Sequence, residues 1–143
     1  MRKFKVGIIG CGAIGTALAK VLIKDRKLNL RAVLTAVADK NPEQAGKLFQ
    51  KIGRKLPLMS IPEVIRRCDF VIEAAHPSIS SSVAEWALKN DKYVLIMSVG
   101  GLLRFPFAKL KNLIAKTSGR LYCPSGAIAG VDALLAAQVG GLR

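Results

Sequence analysis

Acidic residues are scarce in this chain. Nine Asp and Glu stand against 23 Lys and Arg, for a formal charge of +14. There is one histidine, His76, so no two-histidine metal site can form within a single chain. The three cysteines, Cys11, Cys68 and Cys123, are isolated and odd in number. They supply neither a disulfide framework nor a CxxC zinc pair, and a reducing compartment suits them. No long apolar run is present. The apolar stretch after Met1-Arg2-Lys3 imitates a signal peptide but is short and broken by Gly7, Gly10 and Gly12. Ala127–Leu142 carries Asp132 and falls short of the ~20 apolar residues that a span needs. The expectation is a cytoplasmic protein with no membrane partner and no bound metal.

What is present is a globular composition, with 51% apolar and 22% charged residues over 143 positions. That suits one domain with a hydrophobic core of its own. The cations run from Arg2 to Arg143 instead of massing in one tail, and many flank apolar helical faces, as Lys47, Lys51 and Lys55 do. We read them as a solvated basic surface that attracts an anionic ligand, with nucleic acid not expected as a partner.

Short apolar runs alternate with helix-period stretches. The runs Phe4–Ile9, Leu30–Ala38, Phe70–Ala74, Tyr93–Val99 and Arg120–Cys123 read as strands, and Leu56–Met59 as a short one. Helices are expected over Ala13–Lys24, from Pro42 to about Lys51, from Ser60 onward, and over Ser78–Leu88, Pro106–Lys116 and Ala127–Gln138. Continuous apolar strands in β-α alternation predict an α/β fold of Rossmann type, a doubly wound parallel sheet with helices on both faces. Nothing after Gly140-Gly141-Leu142-Arg143 reads as a second domain, so residues 1–143 are taken as one nucleotide-binding unit.

Gly10-Cys11-Gly12-Ala13-Ile14-Gly15 is a G-x-G-x-x-G that follows the first strand and opens a helix. Gly10 allows the tight turn, Gly12 lets a diphosphate approach the backbone, and Gly15 lets helix and strand pack closely. The free N–H groups and the positive end of the helix dipole would hold the diphosphate. Asp39, at the end of the second strand, is placed to accept the ribose hydroxyls, with a strand-end cap or turn residue as the lesser alternative. A carboxylate there favours NAD, and the adjacent Lys40 keeps NADP open.

Ligands in such folds lie at the carboxyl ends of the strands. The rest of the cleft is therefore expected at Ala74, Ala75 and His76, at Ser98 and Val99, and at the turn Pro124–Gly130 that contains Ala127. His76 reads as a loop residue that caps a carbonyl or touches ribose, with a catalytic role as the weaker alternative. Cys11 reads as a small residue packed in the turn, Cys68 and Cys123 as buried apolar residues, and Glu73 as a carboxylate held by backbone amides.

Gly10–Gly15, Glu73-Ala74-Ala75, Met97-Ser98-Val99-Gly100 and above all Pro124-Ser125-Gly126-Ala127-Ile128-Ala129-Gly130-Val131-Asp132-Ala133-Leu134 resemble the L-aspartate dehydrogenase family, over nearly the whole chain. The resemblance implies NAD(P)-dependent oxidative deamination of L-aspartate to iminoaspartate, then oxaloacetate and ammonia, in service of NAD biosynthesis. It also implies a homodimer, and cofactor contacts from Gly10, Gly12, Ala13, Ile14, Gly15, Asp39 and Ala127. The family's second α/β domain, which holds its catalytic histidine, would lie beyond Arg143, so no catalytic residue is expected within this chain. The other reading is a non-catalytic NAD(P)-binding module, or a subunit completed by another chain.

Overall fold

A computed structural model describes residues 2–124 of the chain. Five strands form one parallel sheet: β1 (Phe4–Ile9), β2 (Ala32–Ala38), β3 (Phe70–Glu73), β4 (Tyr93–Ile96) and β5 (Arg120–Tyr122), in the spatial order β2-β1-β3-β4-β5. Six α-helices connect and cover them: α1 (Ala13–Lys24), α2 (Arg26–Arg31), α3 (Pro42–Ile52), α4 (Ile61–Arg67), α5 (Pro77–Lys89) and α6 (Phe107–Lys116). Beyond β2 runs a vestigial sixth strand. Leu58 bridges Val37 in parallel, with Val37 N–H donating to Pro57 O at 3.0 Å and Met59 N–H to Val37 O at 2.9 Å. Counting that bridge, the order becomes the dinucleotide-binding one, with the reversal on either side of β1.

Alternation along β1 explains the two layers. Val6 and Ile8 join Leu34, Ile72, Ala19 of α1 and Ala45 and Leu48 of α3 in one core. Ile9 turns the other way, to Val71, Val94, Ile96, Val64 and Ile65 of α4, and Val83, Ala84, Ala87 and Leu88 of α5. Both faces of the sheet are thus buried, which is why its strands read as unbroken apolar runs. The α/β Rossmann-type expectation is met. No helix among the described residues is long and apolar enough to cross a membrane.

Several boundaries differ from expectation, each for a local reason. The second strand starts at Ala32, not Leu30, because Asp25 caps a short helix by accepting from Leu28 N–H at 2.9 Å. With Leu28 and Leu30 both exposed, α2 has no apolar stripe to announce it. Leu56–Met59 makes one bridge and no full strand. The third strand stops at Glu73, where the carboxylate folds back onto Ala75 N–H. The fourth stops at Ile96. Val99–Arg104 forms a 3-10 turn instead of extending it, and Gly101 packs so tightly on α5 that a Cβ there would meet Pro77 O at 2.1 Å. β5 ends at Tyr122, and Cys123 is exposed where a buried residue was expected, since it lies past the end of an edge strand. The helix expected over Ala127–Gln138 lies outside the described residues.

Candidate functional site

At the carboxyl ends of β1, β2 and β3 a cleft of about 710 Å³ opens. Its floor is the turn after β1. Gly10 N–H donates to Ala38 O at 2.8 Å, and Ala74 N–H donates to Ile9 O at 2.8 Å, so the turn is anchored to both neighbouring strands. Gly10 has φ +100°, and a Cβ there would sit 2.5 Å from Ala74 O. A Cβ on Gly15 would sit 1.9 Å from Gly10 O. Protein packing therefore requires both glycines. Gly12 is different: a Cβ there meets nothing within 4 Å, so the bare backbone faces open space on the cleft side. No side chain caps α1 at Gly12. By contrast Asp25 caps α2, Asn41 caps α3, Glu63 reaches back to Ser60 N–H at the start of α4, and His76 caps α5. The start of α1 is thus left with its donors free and a space a side chain would fill, which fits the diphosphate of a dinucleotide.

Asp39 stands beside that turn. Its Oδ2 accepts Cys11 N–H at 2.7 Å and its Oδ1 accepts Asn41 N–H at 2.8 Å. Each oxygen keeps a lone pair for a further donor. The carboxylate thus acts as a turn residue while still facing the cleft beside Lys40. Of the roles weighed for it from the sequence, the contacts of the carboxylate are those of a turn residue.

Cys11 lies beneath the loop, 2% exposed. Burial, and next the charge of Asp39, push its thiol up to about 12. Cys68 is buried too, and burial, then the Asp69 charge, raise it to about 11. Neither is a thiolate near neutrality, which suits packed residues and not a reactive one. Ellman's reagent should therefore modify Cys123 alone in the folded protein, with Cys11 and Cys68 released only on unfolding. Rapid modification of Cys11 in the native state would contradict this placement.

His76 lies on the opposite wall with Ala74 and Ala75. Its Nδ1 accepts Ser78 N–H at 3.2 Å, so it caps the start of α5 through an amide and not the carbonyl expected of it, because its ring sits at the N-terminus of that helix. Of the expected residues, Gly10, Gly12, Asp39, Lys40, Ala74, Ala75 and His76 line the one cleft. Cys11 and Gly15 pack under it, and Ala13 and Ile14 are exposed in the first turn of α1. Ser98 and Val99 do not line it: Ser98 is half-buried and its donors turn inward to Glu73. Ala127 lies outside the described residues. The sequence reading missed the polar Gln44 and Ser60, and Met59, Ile61 and Ile79, which supply much of the cleft's apolar wall. Their signal was the Leu56–Met59 run: a third strand in this topology delivers the residues that follow it to the carboxyl end.

Three similarities bear on the site. A family model described as the homoserine dehydrogenase NAD-binding domain matches residues 10–124. L-aspartate dehydrogenase of Methanocaldococcus jannaschii is 43% identical over 139 residues, covering 95% of this chain and 51% of that protein. L-aspartate dehydrogenase 3 of Bordetella bronchiseptica is 33% identical over 135 residues, 94% of this chain and 48% of that one. The chain spans about half the length of the curated relatives it matches. Among solved structures, myo-inositol dehydrogenase of Lactobacillus casei in complex with NAD(H) and myo-inositol superposes with a TM-score of 0.72 at 18% identity. That match covers 99% of this chain and 42% of the other, and it is a likeness of fold.

Proposed function

This chain belongs to the homoserine dehydrogenase NAD-binding domain family, an NAD(P)-binding fold, and we propose from its similarity to L-aspartate dehydrogenases that it is the cofactor-binding part of such an enzyme. The observation that carries the nucleotide reading is the uncapped, unobstructed backbone at Gly12, facing a cleft edged by Asp39. The identity to aspartate dehydrogenases carries the substrate.

In this reading the first turn of α1 holds the diphosphate through its free N–H groups and its dipole. Asp39 takes the adenosine ribose hydroxyls, and Met59, Ile61 and Ile79 shelter the adenine side. Cys11 and Gly15 act from beneath by shaping the turn, while Ala13 and Ile14 offer backbone at its rim. Ala74, Ala75 and His76 run past the middle of the cofactor, with Ser98, Val99 and Ala127 toward its nicotinamide end. NAD is preferred, with Lys40 leaving NADP admissible. When bound, the nicotinamide supplies the acceptor for hydride from the substrate's α-carbon. This chain's contribution is to bind, orient and partly desolvate it. The dicarboxylate site, the catalytic histidine and the dimer contacts belong, in this proposal, to a second domain, and the enzyme works in the cytoplasm.

Purified 143-residue chain should bind NADH and show no aspartate-dependent reduction of NAD. Robust turnover by that chain would overturn the division of labour. The intact mass of the polypeptide from its native source, with an L-aspartate assay of that material, tests the substrate. Aspartate oxidation supports the proposal. NADH binding without any aspartate oxidation would replace it with a nucleotide-binding module or a subunit completed by another chain.

A further inference from the structure

Glu73 is the one acidic side chain that the described structure buries completely, 0% exposed at the carboxyl end of β3. A buried carboxylate is costly unless hydrogen bonds compensate it. Four donors do so. Oε1 accepts Ala75 N–H at 2.8 Å and the Ser98 hydroxyl at 3.2 Å; Oε2 accepts the Ser80 hydroxyl at 3.1 Å and Ser98 N–H at 3.3 Å. No cation is among them. These donors come from three places: the strip after β3, helix α5, and the turn after β4. Two are backbone N–H groups, each held by a different oxygen. The Ser80 hydroxyl also lies 3.1 Å from Ser98 O and 3.5 Å from His76 O, so the carboxylate and α5 join the strip and the turn at one point. Core packing alone would be served by an apolar residue, as at Val71 and Ile72 on the same strand.

A doubly wound sheet binds the two nucleotides of a dinucleotide in its two halves, and β3 and β4 belong to the half away from β2. We infer that Glu73 is a positioning residue for the nicotinamide-side half of the cofactor, because its carboxylate sets Ala75, on the cleft wall, and Ser98, behind that wall, at a fixed separation at the carboxyl ends of β3 and β4. This deepens the proposed function and rests on its dinucleotide reading. Glu73 touches no cofactor itself; it acts through the backbone it holds.

Glu73→Gln isolates this role. The amide keeps the shape and one acceptor oxygen, and turns the other into a donor. Whichever way round it sits, a backbone N–H, of Ala75 or of Ser98, then faces an NH2 group. One of the two segments must move. The probes are NADH and ADP, the latter lacking everything beyond the diphosphate. Expected is an NADH affinity about tenfold weaker, as for a lost hydrogen bond to a charged group, with ADP affinity unchanged. General destabilisation would not separate the two ligands. Equal weakening of both, or no change in either, overturns the inference while the wild-type chain's binding still upholds the dinucleotide site. A wild-type chain that binds neither ligand overturns both. If Glu73→Gln does not fold, Glu73→Asp decides, since it keeps the charge but draws the carboxylate back by one methylene from Ala75 and Ser98: weaker NADH with unchanged ADP upholds the inference, and unchanged NADH overturns it.

Discussion

Replacing Gly12 with alanine should leave the protein as stable as before, or more stable, and cost it most of its NADH affinity. Gly12 has φ −70° and ψ −160°, a conformation alanine adopts without strain. Its Cβ would meet no protein atom within 4 Å. Removing the glycine's freedom in the unfolded chain then stabilises the fold by about 0.4–1 kcal/mol. The same methyl group occupies the space through which a diphosphate must reach the α1 backbone, and a fall of about tenfold or more is expected. Gly15→Ala makes the contrast. Its Cβ would lie 1.9 Å from Gly10 O and 3.3 Å from Ile8 Cγ2, so the turn itself must distort. Overpacking of that kind costs about 1–3 kcal/mol, and binding should fall with stability. Thermal unfolding and NADH titration of the two variants, side by side, check this. A Gly12→Ala protein that binds NADH like the wild type would remove the main support for a phosphate site at this turn.

The parts of this molecule that were legible in the sequence are those where one physical requirement acts locally. Gly10–Gly15 announces a turn followed by a helix because Gly10 and Gly15 both exclude a side chain within one turn of chain. Pro42 and Gly53 bracket α3 because one suits a first turn and the other adopts φ +67° at the C-cap. What was not legible depends on partners far along the chain. Arg26–Arg31 becomes helical through a single cap from Asp25, which a strand reading of the apolar residues after it overrode. The inward turn of Ser98 depends on Glu73, 25 residues earlier. The apolar wall of the cleft depends on Leu58 finding Val37 across the sheet edge. Composition named none of these pairings. The acidic residues show the same limit from the other side. Scarcity suggested a basic surface, but not that several of the few carboxylates would be spent on the chain's own backbone amides: Asp25 on a helix cap, Asp39 on two turn amides, Glu63 on Ser60 N–H, Glu73 on the core network, Asp91 on Ser118 N–H.

That economy makes Asp39 the most consequential acidic residue of the cleft. Asp39→Ala should lower stability and binding together, and change which cofactor binds better. Cys11 N–H and Asn41 N–H each lose their acceptor. The first belongs to a buried residue, and an orphaned amide there costs about 1–3 kcal/mol. NADH also loses the acceptor for its ribose hydroxyls, so its affinity should fall by about tenfold or more. NADPH loses the same loop order but also escapes repulsion between its 2′-phosphate and the carboxylate, with Lys40 still beside it. The ratio of NADH to NADPH affinity should therefore move toward NADPH by about tenfold. A change in that ratio is not produced by loss of stability alone, because both cofactors share the turn and the diphosphate site. Titrating both cofactors into wild type and Asp39→Ala, at a temperature where each is folded, gives the ratio directly. If the two affinities fall in parallel, Asp39 serves the turn only, and any preference between the two cofactors must be sought in Lys40, Gln44 and the Met59–Ile61 wall.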